Sequence, residues 1–264
     1  MTSSKPRLSF CATLRRSTWL IATFWLVGCS IPGGAAFENS LNRSSRVLMV
    51  GDSLTVGPFG DHMQNWLQTN LGPQRVFIYG SCGSSPEHWL TATEPFISPC
   101  GYRETTPQTK RLEKHHNGIK PARVATPKIE QLIATHRPQI VIIQLGTNHF
   151  DTLAKEGREA IPKLEAIYDE FSRALRRPGS KVRMVIWITP PDSTKFPDWV
   201  EQEVNRIIAA NNSKHGYGTF FSQTRYIPGE TGSDGVHYNE KGAEIWSTPI
   251  IQKINKAFTR YRIK

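Results

Sequence analysis

Short apolar runs alternate with amphipathic stretches along most of this 264-residue chain. Runs at 47–50, 75–79, 141–145, 182–188 and 218–221 are short and bounded by Gly, Pro or polar residues, so they predict strands. Between them, apolar residues recur at helical spacing over 61–71, 127–136, 159–177, 199–211 and 242–258. Local signals sharpen several ends. Thr126 and Pro127 read as an N-cap and first helical position, Pro162 falls in a first turn, Pro178 and Gly179 stop a helix, and Pro249 is expected to kink the last one. Such alternation predicts a three-layer α/β/α domain, a parallel sheet with helices on both faces. Pro86, Pro95, Pro99 and Pro107 mark a long loop insertion within it. Neither an internal repeat nor a phosphate-binding glycine loop is present, and His115 and His116, being adjacent, are poorly placed to chelate one ion. The sequence therefore predicts neither metal nor cofactor.

The ends of the predicted strands carry the chemistry. The first runs into Gly51, Asp52 and Ser53, and ligands of open α/β sheets bind just beyond such strand ends. Ser53 there is either a nucleophile or a helix N-cap. The second ends in a glycine-rich turn where Gly83 can expose a backbone N–H, and the third ends in Gly146, Thr147 and Asn148, offering a carboxamide. Near the C-terminus Asp234 precedes His237 by three residues, which on a helical turn would share a face. That spacing lets the carboxylate hold one ring nitrogen while the other faces a hydroxyl; alternatively Asp234 belongs to a turn or caps the helix that follows. A hydroxyl, an N–H, an amide and an Asp/His pair are the parts of an acyl-transfer site.

In order and spacing, GDSL at 51–54, the glycine block around Gly83, GTN at 146–148 and DGVH at 234–237 resemble the SGNH (GDSL) hydrolase superfamily. The resemblance implies a flavodoxin-like fold over 45–264, with Ser53 as nucleophile, His237 as base and Asp234 as its partner. It also implies an oxyanion hole built from the Ser53 N–H, the Gly83 N–H and the Asn148 amide. Two departures bear on the substrate. Ile78 and Tyr79 fill a region where the family often has Asn and a small residue, and His149 and Phe150 intervene before Asp151 where an Asp often follows GTN directly. His149 is thus expected at the pocket rim.

Lys5, Arg7, Arg15 and Arg16 precede an apolar stretch at 19–27 that is too short for a membrane span, so 1–28 reads as an export signal. Leu26, Val27, Gly28 and Cys29 are similar to a lipobox, in which Cys29 would carry lipid and 29–44 would be a linker; the alternative is ordinary cleavage after Ala35 or Ala36 and secretion. Ser30 suits outer-membrane sorting. Export into an oxidising periplasm would join the leftover Cys82 and Cys100.

Charge narrows the partners. The formal charge is +11, and loss of the leader's four basic residues leaves +7. A basic exported protein is drawn to anionic envelope polymers, and its compartment excludes nucleic acid. Lys110, Arg111 and Lys114 lie in the insertion, where substrate loops are usually found, although most charge runs are merely solvated. His88 and Trp89 after Gly83, and Pro190, Pro191, Asp192, Phe196 and Trp199 after the fourth strand, suit a sugar-like ligand, with core packing the alternative for both tryptophans. The resulting expectation is an envelope serine esterase removing O-acyl groups from peptidoglycan or another glycan. The alternatives are O-acyl transfer or glycan-strand cleavage on the same fold, or an idle envelope-binding lipoprotein.

Overall fold

The computed structural model describes residues 41, 44–115 and 118–261. The expected signal, Cys29 and all of the linker but residues 41 and 44 lie outside them, as does His116. The described chain folds around a seven-stranded mixed sheet ordered β5-β4-β2-β1-β7-β8-β9. Its strands are β1 (Val47–Gly51), β2 (Val76–Ser81), β4 (Gly101–Thr105), β5 (Lys110–Lys114), β7 (Ile140–Gln144), β8 (Met184–Ile188) and β9 (Gly218–Phe220). A separate two-residue ladder pairs β3 (Ile97–Ser98) with β6 (Val124–Ala125).

Five strands, β2-β1-β7-β8-β9, run parallel. They are the five runs read from the sequence, and every residue of β1, β2, β7 and β8 is buried. Burial on both faces demands continuous apolar runs, which is why the pattern showed no alternation. Along β1, Leu48 and Val50 join the core under α3 (Ile129–His136), α4 (His149–Glu156), α5 (Ile161–Leu175) and α6 (Asp198–His215). Val47 and Met49 face the opposite core, under α2 (Pro58–Leu71) and α7 (Glu240–Arg260). In that layer Phe59 stacks on Trp246 with centroids 3.7 Å apart.

The sheet is not wholly parallel, and the difference lies in the insertion. Its residues 101–114 form a hairpin whose first strand, β4, pairs antiparallel with β2, Ser81 opposite Tyr102 and Ile78 opposite Thr105. Arg103 fixes it there. Its guanidinium is buried and donates to Gln64 Oε1 (2.9 Å), to the Val56 carbonyl (3.0 Å) and to Asp61 Oδ1 (2.7 Å). A cation with those partners belongs to the fold, although in the sequence it looks like one more residue of a basic run. Thr126 does not cap α3 either: Lys128 holds the N-cap position, and Thr126 Oγ1 hydrogen-bonds Ser81 Oγ (2.5 Å). Pro249 sits inside α7 without ending it.

Between β1 and α2 lies a one-turn helix, α1 (Ser53–Val56). A Cβ at Gly60 would overlap the Thr55 carbonyl, so the absence of a side chain lets α2 pack on α1. Gly60→Ala is accordingly expected to cost about 1–3 kcal/mol, the usual range for overpacking. Thermal melting checks this, and a Tm within a degree of wild type would show that the two helices can separate freely.

Candidate active site

The order β2-β1-β7 places the topological switch point between β1, whose chain continues to β2 on one side, and β7 on the other. All four sequence blocks converge at the C-terminal ends of these strands. At the tip of β1 a Cβ on Gly51 would overlap the Thr55 side chain and the Gln144 carbonyl, so only glycine lets α1 fold back there. The residue capping α1 is Asp52, not Ser53: Asp52 Oδ1 accepts from Leu54 N–H (2.9 Å), and Asp52 N–H donates to the Gln144 carbonyl (3.2 Å). Burial pushes the Asp52 carboxyl up to about 6 despite the Leu54 bond. Hydrogen bonding from the Gln144 and Thr147 side chains pulls the other way without outweighing burial. Ser53 is thereby free to present its hydroxyl.

His237 Nε2 lies 2.9 Å from Ser53 Oγ, across 184 residues of sequence, and His237 Nδ1 lies 2.6 Å from Asp234 Oδ2. The carboxylate accepts a hydrogen bond from Nδ1–H, which leaves Nε2 to accept from Ser53 Oγ–H. The Asp234–His237 stretch is no helical turn. Gly235 has φ +83°, and Asp234 Oδ1 accepts from the N–H groups of Val236 (3.0 Å) and His237 (2.7 Å), an Asx-type turn. Nor does Asp234 cap the last helix, since Asn239 does so by accepting from Gly242 N–H. Burial alone would raise the Asp234 carboxyl, but the His237 ring and those N–H groups outweigh it and hold it down to about 2. Loops on either side grip the turn. Tyr226 OH accepts from Gly235 N–H (2.9 Å), and the Gly235 carbonyl accepts from Thr194 N–H (3.0 Å) and Ser193 Oγ (2.6 Å).

Gly83 and Asn148 face this line of side chains across one open pocket of about 480 Å³. Gly83 takes φ +83°, and among the described residues neither its N–H nor that of Ser53 is engaged. Asn148 Nδ2 donates one proton to the Ser84 carbonyl (2.8 Å), which fixes the amide and leaves the other proton for the pocket. Cys82 and Cys100 are joined by a disulfide, with Cα atoms 5.4 Å apart, and both line the pocket beside Gly83. Closing a loop of this separation contributes about 3 kcal/mol in the chain-entropy model.

The structure separates the remaining expected residues. His88 lines the pocket, its Nδ1 accepting from Ser85 N–H (2.9 Å) and its ring stacked on Phe96. Trp89 does not: it is fully buried, and its indole donates to Ser84 Oγ (3.0 Å), so it packs the core. His149 is likewise no rim residue. It is 1% exposed, wedged between Tyr168 OH (3.1 Å) and Glu87 Oε2 (3.1 Å), and its partner Glu87 occupies the rim instead. Asp151 lies on the rim, paired with Lys155. Lys110, Arg111 and Lys114 sit on the edge strand β5 and line no part of the pocket; Arg111 pairs with Glu113 (3.0 Å). Glu87 and Lys195 are pocket residues that the pattern did not single out, because an isolated charge in a loop carries no periodic signal.

Taken together, the fold and this line of side chains define an α/β/α hydrolase of the SGNH type. The chain belongs to the GDSL-like lipase/acylhydrolase family, whose pattern matches residues 47–250, and is a hydrolase of carboxylic esters. A search of curated proteins finds no significant sequence match. Among solved structures, an acetylxylan esterase from Geobacillus stearothermophilus is similar with a TM-score of 0.52 at 14% identity, covering 81% of this chain and 96% of its own. An aryl esterase from M. smegmatis gives 0.50 at 15% identity, over 80% of this chain and 99% of its own. An α/β hydrolase from the metagenome of Lake Arreo gives 0.51 at 12%, over 82% and 97%.

One acid near the site sets a pH dependence. Burial first, and then repulsion from Asp192, push the Glu201 carboxyl from the ordinary 4.5 up to about 7. Asp192 holds the loop before His237, since Asp192 Oδ2 accepts from Tyr226 N–H and its carbonyl from Tyr238 OH. A raised acid stabilises the fold fully below its unfolded value and loses that contribution as pH rises through its folded value. Tm should therefore fall between about pH 4.5 and 7 and level off above that. Glu201→Gln should flatten that slope and raise Tm at alkaline pH; melting curves parallel to wild type across this range would remove Glu201 from the account.

Proposed function

We propose that this protein is an exported serine esterase that removes acetyl groups from hydroxyls of a cell-envelope glycan, peptidoglycan foremost. In the first half-reaction Ser53 Oγ attacks the ester carbonyl while its proton passes to His237 Nε2. The carbonyl oxygen becomes an oxyanion, received by the Ser53 and Gly83 N–H groups and the Asn148 amide. Collapse breaks the bond to the sugar oxygen, which takes the proton from His237 and leaves as an alcohol. Water then repeats the sequence on the acetyl-serine, giving acetate and free Ser53. Asp234, ionised throughout the working range, orients the ring and stabilises its charged form.

The observation that carries the substrate class is the difference in size between two spaces meeting at Ser53 and His237. One is the open polar pocket, where Phe196 and His88 stand beside Glu87, Asp151 and Lys195, a surface suited to a hydroxyl-rich ring. The other is a recess of only about 30 Å³, bounded by Leu54, Pro58, Phe59, Tyr238 and Trp246. Room of that order takes a group of about water or methyl size, which suits acetyl and not a fatty chain. An acetylxylan esterase among the similar structures agrees with a polymeric acetyl ester. The envelope location rests on the basic, apolar leader and the lipobox-like residues ending in Cys29.

Ser53→Ala should lower kcat by about 10³-fold or more with Tm unchanged, and Asn148→Ala by about 10²–10³-fold with KM nearly constant. Steady-state kinetics on an acetyl ester check both; an effect of Asn148→Ala confined to KM would place the oxyanion elsewhere. The substrate is tested by incubating wild type and Ser53→Ala with O-acetylated sacculi and analysing the soluble fraction. Acetate released by wild type alone is the expected result. Shortened glycan strands without acetate would overturn the reading.

A further inference from the structure

The strand ends opposite the active site form a pole of unusual charge. The lead-in to β1 carries Arg46, the α2–β2 connection Arg75 and the α3–β7 connection Arg137. Between α5 and β8 come Arg176, Arg177, Lys181 and Arg183, and Lys214 lies in the last turn of α6. Segments 44–46, 72–75, 137–139, 176–183 and 214–217 together hold no Asp or Glu. Five of these cations, Arg46, Arg137, Arg176, Lys181 and Arg183, are exposed and, among the described residues, make no ion pair; Arg46 and Arg176 donate to the carbonyls of His136 and His215. At the active-site end the charges nearly balance. Loops 82–100, 118–128, 189–198 and 221–239 hold Glu87, Glu94, Asp192, Asp198, Glu230 and Asp234 against Lys120, Arg123, Lys128, Lys195 and Arg225.

Helix dipoles explain part of this, because cations suit the carbonyl ends of helices that point to that pole. They do not explain Arg46, Lys181 and Arg183, which lie beyond the last turn of any helix and precede strands. Nor does the pole serve the reaction, which takes place at the far ends of strands that are each about 17 Å long. Arg137 and Lys181 flank a cleft of about 480 Å³ with Ser180, room for a phosphate-sized headgroup; Arg177 there is paired (3.3 Å) with Glu130, which also lines it. The leader-bearing N-terminal segment also joins the fold at this pole, at Arg46.

The geometry points to this basic pole as a docking surface for an anionic phospholipid bilayer, which holds the protein with its active site facing away from the membrane. The choice of a bilayer rests on the envelope reading of the N-terminal segment, whereas the separation of charge does not. A cation close to an anionic leaflet contributes about 1 kcal/mol, about fivefold in partition. The active-site end, where charges nearly balance, gains no comparable attraction, so orientation follows from the basic pole. Attraction of this kind reaches only about a Debye length, about 8 Å at physiological salt, which makes contact through this pole the condition for binding.

The test is partition of the full-length protein onto vesicles of phosphatidylcholine with and without phosphatidylglycerol. The apolar leader contributes equally to every variant, so differences read the pole. Changing Arg137, Lys181 and Arg183 together to Gln should weaken binding to the anionic vesicles by about tenfold or more, without effect on neutral ones. The charge-matched change of Lys110, Arg111 and Lys114 to Gln should alter it less than about twofold. Turnover of a soluble neutral ester should match wild type in both variants. Equal loss in the two variants would show an effect of net charge alone and overturn the proposal, as would a loss seen on a soluble polyuronate but not on vesicles. If the first variant fails to fold, wild type decides: an excess of binding to anionic over neutral vesicles that survives about 0.5 M salt overturns the proposal. Failure here leaves acetate release from sacculi untouched, and failure there leaves vesicle binding untouched.

Discussion

Ser53 can present its hydroxyl to His237 because Asp52, fully buried beside it, takes over the capping of α1 and ties the end of β1 to Gln144 at the end of β7. A serine that had to cap its own helix would turn its oxygen toward backbone N–H groups and away from the pocket. The same exchange frees the Ser53 N–H. Gly51 and Gly60 serve this arrangement, one letting the chain fold back and the other letting α2 settle on the result. Arg103, reaching from the insertion to the Val56 carbonyl and to Asp61, braces α1 from the far side.

The other groups are brought to this turn by separate devices, each local and inexpensive. The Asx turn at Asp234 sets the imidazole, and the loops bearing Ser193, Thr194 and Tyr226 keep it in place. The disulfide and the Ser84 carbonyl fix Gly83 and Asn148 relative to one another. Glu87 and His149 add a second link between the same two loops, and burial of the ring makes that link rigid. A site assembled from the tips of parallel strands thus owes its precision to short connections, while the sheet supplies only the common edge.

How much of this the sequence disclosed follows from what each residue does. The five parallel strands were legible because a strand buried on both faces must be continuously apolar, and Gly-Asp-Ser, Gly-Thr-Asn and Asp-Gly-Val-His stand out because small polar residues at strand tips are visible against such runs. Strands β4 and β5 were not legible. An edge hairpin such as KRLEK is exposed and polar, and Pro-rich flanks look like loop. Trp89, open between ligand stacking and core packing, and His149, expected at the rim, share a related reason: position in a loop does not say which way a side chain turns, and both turn inward to satisfy buried partners. Net charge, too, was visible only as a sum. Folding gathers Arg46, Arg137, Lys181 and Arg183, far apart in sequence, at one pole, while Lys110, Arg111 and Lys114 lie on an edge strand away from the pocket.

The central claim is that Ser53 forms an acyl bond during turnover with His237 as its base. Quenching the protein in acid while it turns over an acetyl ester, then mapping peptides by mass, tests this directly. The account predicts an acetyl group on Ser53 in wild type, and none in His237→Ala, because without the imidazole the hydroxyl cannot be activated. Steady turnover with Ser53 unmodified and the acetyl group on another residue, or equal acetylation in His237→Ala, would contradict it.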